Sequence, residues 1–152
     1  MKPLIAVITF VLTLAAQQSQ PSGRVPRRAI GTFDVKIAAL PPYNQEDKSL
    51  GRFSIDKQFR GDLEASSKGE MLSAGSASTS GGYVAIEKVT GKLNGRSGSF
   101  VLQHSATMED GKGHLNIIVV PGSGSGELTG IVGKMNIIME AGTLMSSNTR
   151  SE

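Results

Sequence analysis

The 152-residue sequence has no cysteine and no tryptophan, and aromatic residues make up only 5% of it. Without cysteine there are no disulfides, no thiolate metal ligands and no lipid-modified cysteine anchor. The domain must therefore be held by its core alone, which a domain of about 120 residues can manage. The net charge is only +3, and only Arg24, Arg27 and Arg28 cluster. No aromatic residues interleave with basic ones as a single-strand nucleic-acid platform requires, so no nucleic-acid partner is expected. No window carries a sustained helical period with caps, which argues against a bundle. No apolar run reaches the roughly 20 residues of a bilayer-spanning helix, so no integral membrane domain is expected.

Glycine, by contrast, is abundant, with 19 residues, which suits short strands joined by tight turns. At the start, Lys2 precedes the apolar run Leu4–Ala16, with small residues at Thr13, Ala15 and Ala16. This pattern predicts a signal peptide over residues 1–16, cleaved after Ala15 or Ala16, and hence a periplasmic or secreted protein. An uncleaved anchor or a buried core helix is the competing reading. Residues 17–30, with two prolines and no hydrophobic period, read as a flexible linker. A single domain is expected over residues 31–145, with a disordered tail over 146–152.

Within the domain, "GTFDVKIAAL" and "RFSIDKQF" alternate apolar and polar residues with the period of a half-buried strand. Further extended stretches are expected at 62–67, 70–77, 83–92, 97–108, 114–120 and 127–140, the last broken by Gly130 and Gly133 and so one strand or two. About eight strands in series predict an all-β, up-and-down antiparallel barrel, with a sandwich as the alternative.

Two turns fix the register in the middle of the chain. Asn94-Gly95 and Asp110-Gly111 both suit two-residue type I′ hairpin loops. Counting outward from the first pairs Val89 with Phe100, Glu87 with Leu102 and Ala85 with His104. Counting from the second pairs Ala106 with Leu115, His104 with Ile117 and Leu102 with Val119. The two registers agree on one interior face: Tyr83, Ala85, Val89, Phe100, Leu102, Ala106, Leu115, Ile117 and Val119, together with Glu87 and His104. A lone ionised carboxylate in an apolar barrel is costly, so Glu87 must be paired, protonated or solvated. Its diagonal neighbour His104 is the candidate partner, either as an acid/base couple or as a hydrogen-bonded pair that fixes register. Lys57, between Ile55 and Phe59, is a third candidate interior charge, although an edge-strand lysine would give the same pattern. Tyr83, Lys57, Phe100 and Leu102 are the candidate ligand-binding residues.

Other motifs fail. "VVPGSGSGELTG" lacks the spacing and the following helix of a phosphate loop, and reads as a wide turn with a close backbone approach. The only histidines, His104 and His114, fall on opposite faces, so no metal site is expected. No cofactor motif is present.

The phrases "GTFDVKI", "FRGDLEASS", "YVAIEKVTGKLNGRSGSFVLQHSATMEDG" and "VVPGSGSGELTGIVGK" resemble the DUF3224 family of bacterial proteins across residues 31 to 135. The resemblance implies an eight-stranded allene-oxide-cyclase-like barrel and assigns no function. The "MNIIMEAGTLMSSNTRSE" tail and the export signal depart from the usual, cytoplasmic-looking member. Three functions fit: a barrel that binds a small, partly apolar molecule; a cyclase- or isomerase-type enzyme using Glu87 and His104; and a packed structural barrel acting through its surface. The outward Val84, Ile86, Val101, Ile118 and Val120 suggest a homo-oligomer.

Overall fold

The computed structural model describes residues 27–46, 49–75, 80–140 and 143–151, and no helix occurs among them. Nine strands follow one another: β1 (Arg27–Leu40), β2 (Leu50–Gly61), β3 (Leu63–Gly75), β4 (Gly81–Leu93), β5 (Arg96–Glu109), β6 (Lys112–Val119), β7 (Ser125–Gly126), β8 (Lys134–Glu140) and β9 (Thr143–Ser151). All pairings are antiparallel. Each of the first four strands pairs with its successor, and β5–β6, β6–β8, β8–β9 and β9–β1 complete a curled eight-stranded barrel. The β6–β8 seam is narrow, with two residue pairs.

Both predicted hairpin turns form. Asn94 and Gly95 take φ of 49° and 79°, and Asp110 and Gly111 take 48° and 75°, the left-handed pair that a type I′ turn needs. The pairing that follows is the one counted from the sequence, including Glu87 with Leu102, Ala85 with His104 and His104 with Ile117. Phe33, Phe59, Leu63, Val89, Leu93, Phe100, Leu102, Ile117 and Met135 form the core.

Four expectations need correction. The stretches 62–67 and 70–77 are a single strand, β3, that runs straight through Gly69. Residues 127–130 are turn and 131–133 irregular, so only Lys134–Glu140 is extended there. Leu115 is exposed instead of interior, because its strand has little neighbouring cover so close to the β5–β6 turn. The expected linker and tail are both partly strand: β1 begins at Arg27, and its first residues pair with β9 through Ser151. Backbone pairing does not require apolar side chains, so the polar "SSNTRS" was a poor guide. Residues 1–26, with the expected signal peptide, lie outside the described residues.

The glycine- and serine-rich segment after β6 has a specific job. β6 covers only Leu102–Glu109 of β5, and beyond it the turn-proximal residues of β5 have only the two-residue β7 beside them, which pairs Gly98 with Gly126 and Ser99 with Ser125. The β5 backbone N–H groups there are met in antiparallel order by side chains. Ser97 N donates to Glu127 Oε2 at 2.7 Å, Ser99 N to Ser125 Oγ at 3.1 Å and Val101 N to Ser123 Oγ at 3.0 Å. Leu128 then enters the core beside Gly98, where an added Cβ would fall 2.1 Å from the Ser125 carbonyl oxygen and 3.1 Å from Leu128 Cγ. Leu63, Leu93, Leu128 and Ile131 are all buried in the core cluster near the Asn94-Gly95 turn.

Candidate binding site in the barrel interior

Alternation along β2 sends Phe53, Ile55, Lys57 and Phe59 inward, and alternation along β4 sends in Tyr83, Ala85, Glu87 and Val89. Lys57 and Glu87 thus meet inside the barrel across the intervening strand β3. Lys57 Nζ donates to Glu87 Oε2 at 2.7 Å, with both side chains buried. Ser67, on β3, donates a short hydrogen bond from its hydroxyl to Oε1. His104 Nε2 lies 2.9 Å from Oε2 but outside hydrogen-bond alignment, so it makes a close contact and has no aligned partner. On its other side the Lys57 ammonium stands 5.0 Å from the Phe33 ring centroid and 5.8 Å from that of Phe59, within cation–π range.

These partners decide the charge state. Burial pushes the Glu87 carboxyl up, but the His104 contact, the Lys57 charge and hydrogen bond, and the Ser67 hydroxyl outweigh it and hold the carboxyl down at about 2. Glu87 is therefore an ionised carboxylate with donors on both oxygens, which is how a buried charge becomes tolerable. Gly69 makes room for it. Gly69 lies directly opposite Glu87, and a Cβ there would fall 2.4 Å from the Ile86 carbonyl oxygen and 2.8 Å from Glu87 Cα. Gly69→Ala is accordingly expected to destabilise the fold by roughly 1–3 kcal/mol, read as a lower urea midpoint, because the strand backbone must shift to admit the methyl group.

An open cleft of about 330 Å³ lies beyond this cluster, lined by residues including Phe53, Met71, Ser73, Tyr83, Ala106 and Met108. The inward residues of β4 run Glu87, Ala85, Tyr83, so the cleft begins two inward positions beyond the carboxylate. Burial and, behind it, the Glu87 charge push the Tyr83 phenol above its ordinary value.

The predicted residues thus separate into two groups. Glu87, His104 and Lys57 come together, but as a sealed cluster with side chains at most 5% exposed. Tyr83 lines the cleft, whereas Phe100 and Leu102 are packed in the core and do not. Sequence reasoning missed Ser67, which sits in a short polar stretch that resembles surface. It also missed Met71 and Met108. The inward alternation of β3 through Ser67, Gly69 and Met71 was the available signal, obscured by treating Gly69 as a break. His114 pairs with Thr107 and is exposed, well apart from His104. Among the described residues, no group of three or more His, Cys, Asp or Glu could hold a metal ion.

A family model described as "Protein of unknown function (DUF3224)" matches residues 29–147. A crystal structure of a protein of unknown function from the same family, from Shewanella oneidensis MR-1, is 50% identical to this chain with a TM-score of 0.75. The match covers 83% of this chain and 95% of that one. No curated protein gives a match.

Proposed function

The chain belongs to the DUF3224 family of proteins of unknown function, and from its barrel interior we propose that it binds a small, partly apolar molecule. The observation that carries this reading is the cleft lined by Phe53, Met71, Tyr83, Ala106 and Met108. It is concave, mainly apolar and furnished with few polar groups, the general character of a ligand site. Its volume is at the small end for such sites, and small barrels either fill their interior or hold one ligand.

The same geometry favours binding over acid/base catalysis by Glu87 and His104. A proton-transfer group works best with a pKa near the working pH and within reach of substrate. Glu87 is held at about 2, has both oxygens engaged, and does not line the cleft. In this reading the cluster fixes the strands that shape the cleft, and the cleft does the recognition. A barrel packed solid and acting only through its surface fits less well, since it would have no use for an apolar recess.

Native mass spectrometry of the full chain expressed in a bacterial host tests the proposal. The expected result is a small-molecule adduct, either copurifying or acquired from a lipid extract. A clean apo mass under both conditions would overturn it. We also propose that Leu4–Ala16 directs export, and the same spectrum reports cleavage near Ala15 or Ala16 from the mass of the chain. It also reports self-association, for which Leu72, Val84 and Ile86 offer an exposed apolar outer surface. Val101, Ile118 and Val120 are half-buried and contribute less to that surface than their sequence positions suggested.

A further inference from the structure

We infer that the cleft selects an uncharged molecule with one hydrogen-bond-accepting oxygen on a hydrocarbon frame, and that the Tyr83 hydroxyl orients it. The inference rests on the binding reading above and specifies its ligand class.

The first line of argument is charge. Among the described residues that line the cleft there is no Asp, Glu, Lys, Arg or His. The nearest interior charges, Lys57 and Glu87, neutralise each other at 2.7 Å and are sealed below the cleft. A ligand carrying a carboxylate or an ammonium group would shed hydration there without gaining a counter-charge, which strongly disfavours it.

Polar chemistry gives the second line. Tyr83 stands directly opposite Ser73 across the β3–β4 ladder, and both side chains line the cleft. Neither hydroxyl has a hydrogen-bond partner within the chain among the described residues. Burial and the Glu87 charge both resist loss of the phenol proton, so Tyr83 stays a donor throughout the neutral range. A ligand that covers this hydroxyl must supply an acceptor, or it leaves a donor desolvated and unpaired. A ketone, aldehyde, ester or ether oxygen meets that need.

Shape gives the third. The rest of the lining is Phe53, Met71, Met108 and Ala106, with Thr107 and small glycine and alanine positions at the rim. Methionine is unbranched, polarizable and adaptable. Two of them facing a recess of about 330 Å³ suit a flexible hydrocarbon better than a rigid polar scaffold.

A matched set of eight-carbon probes tests the inference on the full chain: octan-2-one, octane, octanoate and octylammonium, each competing with the uncharged fluorescent dye 1-aminoanthracene. The ketone is expected to compete about five-fold better than the alkane, the gain of roughly one neutral hydrogen bond. The two charged probes are expected to compete worst. In Tyr83→Phe, which retains the ring, the ketone-over-alkane ratio is expected to fall to about one. That ratio is taken within a single variant, so a general loss of stability does not move it. Best competition by octanoate or octylammonium would overturn the inference and leave the binding reading standing, as would a ketone preference that survives in Tyr83→Phe. Failure of the wild-type chain to bind the dye, the ketone and the alkane would overturn both. Should Tyr83→Phe not fold, the wild-type order of the four probes and the ratio in Ser73→Ala still decide the charge and acceptor requirements.

Discussion

Lys57→Met is expected to destabilise the barrel by about 3–5 kcal/mol, the usual consequence of removing one partner from a buried ion pair. The methionine occupies nearly the same volume, so packing loss contributes little. What remains is Glu87, fully buried, with Ser67 and the misaligned His104 as its only partners. For a domain whose whole stability is of order 5–15 kcal/mol, this should lower Tm by more than about 10 °C. The Phe33 and Phe59 rings also lose the cation they face, though this accounts for less of the effect. Thermal unfolding of Lys57→Met beside the double variant Lys57→Met/Glu87→Gln separates charge from packing. The double variant is expected to be the more stable of the two, because an amide in place of the carboxylate leaves no unpaired charge. Equal stability of the two would mean that the ion pair is not what holds this part of the interior.

The second large effect is with pH. Glu87 has an ordinary carboxyl value of 4.5 when unfolded and about 2 in the fold. A lowered folded value means that the unfolded chain binds the proton more readily. The ionised form therefore contributes stability in full above about pH 5, and this contribution is lost as pH falls toward 2. The size is on the order of 3 kcal/mol. Urea unfolding at a series of pH values from 7 down to 3 should give a falling free energy for the wild-type chain and a flatter profile for Glu87→Gln. The exposed pairs Arg52–Glu70 and Arg60–Asp34 are common to both proteins and are each worth little, so the difference between the two profiles reports Glu87. Parallel profiles would show that this carboxylate has the same affinity for protons folded and unfolded.

How much of this was legible in the sequence depends on how local the information was. The Asn94-Gly95 and Asp110-Gly111 turns fix register over short distances, so the placement of Glu87 and His104 on one interior diagonal could be counted directly. The direction of Lys57 was also readable, from alternation with Phe53, Ile55 and Phe59. Its partner was not, because Lys57 and Glu87 lie on strands separated by a third, and their meeting depends on the stagger of that third strand and on the absence of a Cβ at Gly69. Ser67 was hidden for the same reason: only the barrel turns a polar "SS" into one buried and one exposed residue. The pairing of β1 with β9 joins the two ends of the described chain, and no local pattern announces it. The cleft arises from the sizes of side chains brought together from β2, β3, β4 and β5, a property of the assembled rim that no single strand carries.

The alternate serines and glutamate of the segment after β6 also bear on how this protein keeps to itself. A barrel strand with one uncovered flank offers a row of free donors on which a stray chain can build, and bare flanks of this kind are a common starting point for aggregation. A chain without cysteine cannot close such a gap with a covalent staple. Here Glu127, Ser125 and Ser123 occupy the donors of Ser97, Ser99 and Val101 one after another, and only Ser125–Gly126 need be extended backbone. The segment is a strand made largely of side chains. It removes the template, and it leaves the loop free to send Leu128 inward, so that one short polar stretch both blocks foreign pairing and helps to close the barrel end.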